Sequence, residues 1–145
     1  MPKVQKVAVI TGASQGIGAA LIRAYRGLGY RVVANSRSIS PASDEGVLTV
    51  AGDIGDRSVA QRVIDKGIER FGRIDTVANN AGIFMAKPFT HYSLEDYRAL
   101  CRTNLDGFFN LAQFAIADME KRSAGHIVSV TTSLVGQAIR RFLLC

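Results

Sequence analysis

The sequence predicts an α/β fold, a doubly wound sheet of five parallel strands with helical crossovers. Three observations carry this. Short apolar runs alternate with longer stretches whose apolar residues recur at helical spacing. The first run, residues 7–10, passes through Thr11-Gly12-Ala13-Ser14-Gln15-Gly16-Ile17-Gly18 straight into an amphipathic stretch. The fourth run closes on Asn79-Asn80-Ala81-Gly82, a second sharp turn at a strand end.

The elements follow in order. Residues 7–10 are the first strand. Ile17, Ala20, Leu21, Ala24 and Leu28 line one face of a helix that Gly29 ends. Residues 31–35 form the second strand, and the polar stretch 38–46, with Pro41, is a loop. Residues 47–51 form the third strand. Val59, Val63, Ile64, Ile68 and Phe71 lie on one face of a helix stopped by Gly72. Residues 74–78 form the fourth strand. Ser93 is a good N-cap for a long helix reaching about Arg122, and residues 126–130 form the fifth strand. Asn104 and Gly107 sit inside the long helix, where both are unfavourable, so a local irregularity is expected there. The apolar residues of that helix are too many for one stripe, which suggests a second apolar face.

The first turn is the chemically informative one. A glycine turn between strand and helix lets backbone approach a phosphate, and the helix N-terminus offers unpaired N–H groups and partial positive charge. The spacing Gly12, Gly16, Gly18 is not Gly-x-Gly-x-x-Gly, and no Gly-Lys-Ser/Thr follows, which disfavours a P-loop hydrolase. The second strand ends Asn35-Ser36-Arg37-Ser38. An acid at this edge would accept both ribose hydroxyls and select NAD. Ser36 and Arg37 can instead hold a 2′-phosphate, so NADP(H) is expected over NAD(H).

Composition narrows the alternatives. The 145 residues suggest one domain, with 48% hydrophobic and 21% charged residues. The net charge of +6 is dispersed among acids, with no basic run interleaved with aromatics, so no nucleic-acid partner is expected. The apolar runs are too short for a membrane span or a signal peptide, and two distant cysteines suit a reducing compartment, so the expected location is cytoplasmic. His91 and His126 have no metal-ligand spacing with Cys101 or Cys145, and no metal is expected.

Thr11–Gly18 resembles the cofactor loop of the short-chain dehydrogenase/reductase family, and Asn79-Asn80-Ala81-Gly82 matches that family's later motif in full. The resemblance covers roughly residues 5–135. It implies strand order 3-2-1-4-5, with the ligand across the carboxyl ends of strands 1 and 4. It implies cofactor contacts at Gly12, Ser14, Gln15, Gly16, Ile17 and Gly18, and at Ser36 and Arg37. Asp53 and Ile54 would lie at the adenine edge, and Asn80, Ala81 and Gly82 at the nicotinamide-side ribose. Asn104 would bend the helix and hold a water in a proton path. Ser133, with Thr132 as its rival, would touch the carbonyl or alcohol of a small-molecule substrate. Pairing of two copies through the long helix, residues 94–121, is also implied.

One part of the pattern is missing. The family's hydride chemistry uses Tyr-x-x-x-Lys, the lysine lowering the tyrosine pKa so that it can exchange the substrate proton. None of Tyr25, Tyr30, Tyr92 and Tyr97 has a lysine four residues on, and no lysine follows Lys121. Residues 1–136 are therefore expected to form an incomplete dinucleotide-binding unit, with 137–145 a tail that departs from the family pattern. The expected origin is a truncated or frame-shifted product, or an N-terminal fragment. The expected behaviour is a chain inactive by itself, its fifth strand an open edge partly covered by Ile139, Phe142, Leu143 and Leu144. A non-catalytic dinucleotide-binding or subunit-interaction module is the alternative.

Overall fold

The structure, a computed structural model, describes residues 4–131. The tail at 137–145 and the hydroxyls of Thr132 and Ser133 lie outside the described residues.

Five strands, β1 Val7–Thr11, β2 Arg31–Ser36, β3 Val47–Ala51, β4 Thr76–Asn79 and β5 His126–Ser129, form one sheet in the order β3-β2-β1-β4-β5. Every pairing is parallel, and Val9 stands opposite Val33 on one side and Val77 on the other. The helices are α1 Gly16–Gly27, α2 Arg57–Phe71, α3 Leu94–Cys101 and α4 Gly107–Met119.

Both faces of β1 are covered, which is why it reads as an unbroken apolar run rather than an alternating one. Residues 7–10 are completely buried. Val7 and Val9 join Val33 and Val77 beneath Val63 and Ile64 of α2 and Leu111 and Ala115 of α4. Ile10, Val32, Ala34 and Ala78 face Leu21, Ile22 and Tyr25 of α1. Alternate residues thus feed the two layers of a doubly wound fold.

The helix ends follow sequence chemistry. Asp56 caps α2 by accepting from Ser58 N, and Gly72 closes it in the left-handed region at φ 83°. Ser93 and Asp96 form a reciprocal capping box at α3. Of the five apolar residues expected along one face of α1, only Leu21 packs on the sheet; Ile17, Ala20, Ala24 and Leu28 are exposed, and Ile22 and Tyr25 share the buried face with Leu21.

The carboxyl ends of β1, β2, β4 and β5 each lie one residue from the expected position, and two larger differences stand out. β4 begins at Thr76, not Ile74, because Ile74 N donates to the Asp118 carboxylate (3.0 Å) rather than to a neighbouring strand. The long helix is not uniform. Residues Arg102–Asp106 form a π-helical turn between α3 and α4, at the position where Asn104 and Gly107 made an irregularity expected.

The amino end of the sheet is closed by ion pairs. Asp75 accepts from Val7 N (2.9 Å) and pairs with Arg73 (2.5 Å). Arg122 Nη2 donates to both the Asp118 carboxylate and Ile74 O, each at 2.7 Å. Burial pushes the Asp118 carboxyl up, but Arg122, the Ile74 N–H and Lys121 outweigh it and hold the group below the usual carboxylate range.

Candidate functional site

At the opposite, carboxyl end of the sheet, β1 and β4 are laced together by neutral hydrogen bonds. Thr11 Oγ1 accepts from Asn80 N (3.0 Å) and Ala81 N (2.9 Å). Asn80 Nδ2 returns bonds to Thr11 O (3.1 Å) and Gly12 O (3.2 Å). The amide of Asn80 therefore ties the two strand ends, and the turns that follow them diverge around a gap.

That gap is a cavity of about 350 Å³, lined by Gly12, Ser14, Gln15, Gly16 and Ile17 after β1 and by Ser36 and Arg37 at the end of β2. Asp53 and Ile54 after β3, and Asn80, Ala81 and Gly82 after β4, complete the wall expected from sequence. One expected residue is not on it. Gly18 is buried in α1, where an added Cβ would stand 2.1 Å from Gly12 O. Its task is close packing of helix on loop.

Local chemistry gives the cavity its character. Gln15 occupies the N-cap of α1 without a side-chain hydrogen bond, so the first-turn N–H groups have no protein cap. Gly16 has φ +54°, and a Cβ there would meet no protein atom within 4 Å. Space for a group lying on the backbone is thus kept open at a helix N-terminus, the arrangement that suits an anion. Ser36 Oγ donates to Ser14 Oγ (3.0 Å) beside the exposed Arg37. Across the cavity, Asp53 Oδ1 accepts from Gly55 N (2.9 Å), and its other oxygen is 3.2 Å from Arg102 Nε.

Asn104 lies at the centre of the π-turn. Its Oδ1 accepts from Ile83 N (2.9 Å) and its Nδ2 donates to Ile83 O (3.0 Å). Both amide atoms are thus used to fix the segment after Gly82. Ser133, expected to touch substrate, lies outside the described residues.

Four cavity residues, Asn35, Gly52, Ile83 and Thr103, were missed by sequence reading. Asn35 is buried in β2 and donates to Val50 O (2.9 Å) and Gly52 O (3.2 Å), which shapes the turn leading to Asp53. A lone asparagine in an apolar strand was the available signal. Ile83 and Thr103 also line the cavity. Thr103 was recognisable only as the neighbour of Asn104.

Among the described residues no helix is long and apolar enough to cross a membrane, and no group of three His, Cys, Asp or Glu could hold a metal ion.

Comparison with known proteins agrees with this geometry. The chain is 38% identical over 135 residues to 1,6-dihydroxycyclohexa-2,4-diene-1-carboxylate dehydrogenase of Pseudomonas putida, covering 88% of this chain and 50% of that one. It is 34% identical over 137 residues to acetoacetyl-CoA reductase of Shinella zoogloeoides, covering 91% and 56%. The solved structure of ElxO with NADP bound superimposes with a TM-score of 0.85 at 26% identity, over 93% of this chain and 58% of that one. The chain spans about half the length of the curated relatives it matches. The pattern of the short chain dehydrogenase family runs through residues 6–142, and the chain belongs to that family.

Proposed function

We propose that the cavity holds a nicotinamide dinucleotide, NADP(H) in preference to NAD(H). The chain is then the cofactor-binding portion of an oxidoreductase that interconverts carbonyl and alcohol groups in small molecules. The observation that carries this reading is convergence: the turns after four strands, at 12–17, 36–37, 53–54 and 80–82, line one cavity. The reductases and dehydrogenases among the relatives, and the NADP-bound neighbour, support the same class of chemistry.

The chain's residues divide the work along the cavity. The uncapped N–H groups of α1 face a pyrophosphate, and Gly16 leaves room for it. Ser36 and Arg37 grip a 2′-phosphate, the guanidinium supplying paired donors. Asp53 and Ile54 take the adenine end. Ala81 and Gly82 lie along the nicotinamide-side ribose, and Asn80 and Asn104 hold that backbone in place. The dinucleotide supplies the hydride when bound. A second reading, a non-catalytic dinucleotide-binding or subunit-interaction module, rests on the exposed apolar residues of the long helix. Tyr97, Leu105 and Phe109, exposed along residues 94–121, are the surface through which two copies would pair.

Calorimetric titration with NADPH and NADH tests the binding, and absorbance assays with a panel of ketones and alcohols test turnover. NADPH should bind more tightly, and the chain alone should not turn over. Gly16→Val should abolish binding with the circular dichroism unchanged. Retained affinity in that variant removes the loop from the site, and turnover at ordinary enzyme rates shows that the acid lies elsewhere.

A further inference from the structure

The rim of the cavity carries an ion pair that joins two elements far apart in sequence. Arg102 opens the π-turn, and its Nε lies 3.2 Å from Asp53 Oδ2 in the turn after β3. Both side chains are partly exposed, so the pair adds little to folding stability. Its surroundings are nevertheless built around it. A Cβ on Gly55 would stand 2.6 Å from Arg102 Cγ and 2.7 Å from Arg102 O, so the absence of a side chain at 55 is what lets the arginine lie against this turn. The guanidinium also helps hold the Asp56 carboxyl below its usual range, after the two hydrogen bonds from Ser58. Asp53 Oδ1 is already engaged by Gly55 N, so Gly55 and Arg102 fix the carboxylate plane from two sides.

We propose that Arg102 is a positioning residue for base recognition, orienting the Asp53 carboxylate so that it accepts the exocyclic amine of adenine. This rests on the cofactor reading above. A carboxylate has about four lone-pair directions, so one oxygen can serve Arg102 and still accept a second donor. The guanidinium has a second effect: it offsets the repulsion between Asp53 and the phosphates of the ligand, which an unpaired carboxylate on the same wall would exert. Thr103, next in the chain, lines the cavity itself, so the π-turn and the β3 turn are opposing walls that Arg102 spans.

The test compares NADPH with its hypoxanthine analogue, which carries a carbonyl oxygen where adenine has its amine. Dissociation constants are measured by titration for the unsubstituted chain, Arg102→Ala, Arg102→Lys and Asp53→Asn. The unsubstituted chain should prefer the adenine form by roughly tenfold or more, the scale of a hydrogen bond to a charged group. Arg102→Ala should bring the preference below roughly threefold by weakening the adenine form, and Arg102→Lys should restore part of it. Uniform weakening of both dinucleotides by Arg102→Ala, with the preference intact, makes the arginine merely structural and overturns the proposal. Equal affinity of the unsubstituted chain for both forms overturns it as well, while leaving the cofactor reading standing. Failure of the unsubstituted chain to bind either form overturns the cofactor reading and this inference together.

Discussion

The two ends of β4 are held by opposite kinds of chemistry. At the amino end, buried and half-buried charges are matched within the chain: Asp75 with Arg73, and Asp118 with Arg122 and the Ile74 N–H. At the carboxyl end, Thr11, Asn80 and Asn104 make only neutral hydrogen bonds, while charge and unpaired donors are left facing a cavity. The amino end uses its polar groups on itself, so its substitutions should register in stability. The carboxyl end keeps Arg37 and the α1 N-terminus in reserve, so its substitutions should register in binding.

The sharpest way to break this contrast is Asp118→Ala. It leaves the Ile74 N–H without its acceptor and the Arg122 guanidinium with Ile74 O but no counter-charge, and removing one partner of a buried ion pair costs about 3–5 kcal/mol. Urea unfolding should show that loss, and the variant should bind dinucleotide normally at temperatures where it stays folded. A small loss would mean the two ends are not specialised as described. Next in size is Arg37→Ala, which should weaken NADPH by about 1.5–3 kcal/mol, the worth of a charge-assisted hydrogen bond, with NADH and unfolding barely changed. Equal losses for both dinucleotides in calorimetry would place the guanidinium away from a 2′-phosphate.

The smallest effect is the acid response of the amino end. The folded Asp118 carboxyl lies below its ordinary value of 3.8, so the group stabilises the fold above that value. The contribution is lost as pH falls through the depressed folded value. Unfolding curves of the chain and of Asp118→Asn should therefore run parallel near neutrality and converge in strong acid. Convergence beginning near pH 6 would assign the sensitivity to another group.

How much of this was readable from sequence depends on the range of the interaction. The strands, the cap at Ser93 and the αL stop at Gly72 rest on neighbours within a few residues, and periodicity exposes them. The glycine and Asn-Asn-Ala-Gly turns were legible because their residue types are restricted. Asn35, Asp118 and the Thr11 hydroxyl were not, because each meets partners 15 to 70 residues away and looks ordinary in its own segment. The irregularity near Asn104 was visible as a poor helix residue beside Gly107. Its form as a π-turn was not, because the Ile83 backbone that engages Asn104 is 21 residues distant.

The π-turn at Arg102–Asp106 also limits how this segment can change in length. A π-turn carries one residue more than the α-helical path it replaces. Deleting a single residue from it would restore a regular helix with α3 and α4 still in phase, because the extra residue is absorbed within the turn. The apolar face of α4 would stay on the sheet, and the change would fall on the turn itself, where Arg102 reaches Asp53 and Asn104 reaches Ile83. A one-codon deletion in α3 or α4, by contrast, would rotate one side of the long helix by about 100° and turn an apolar face off the sheet.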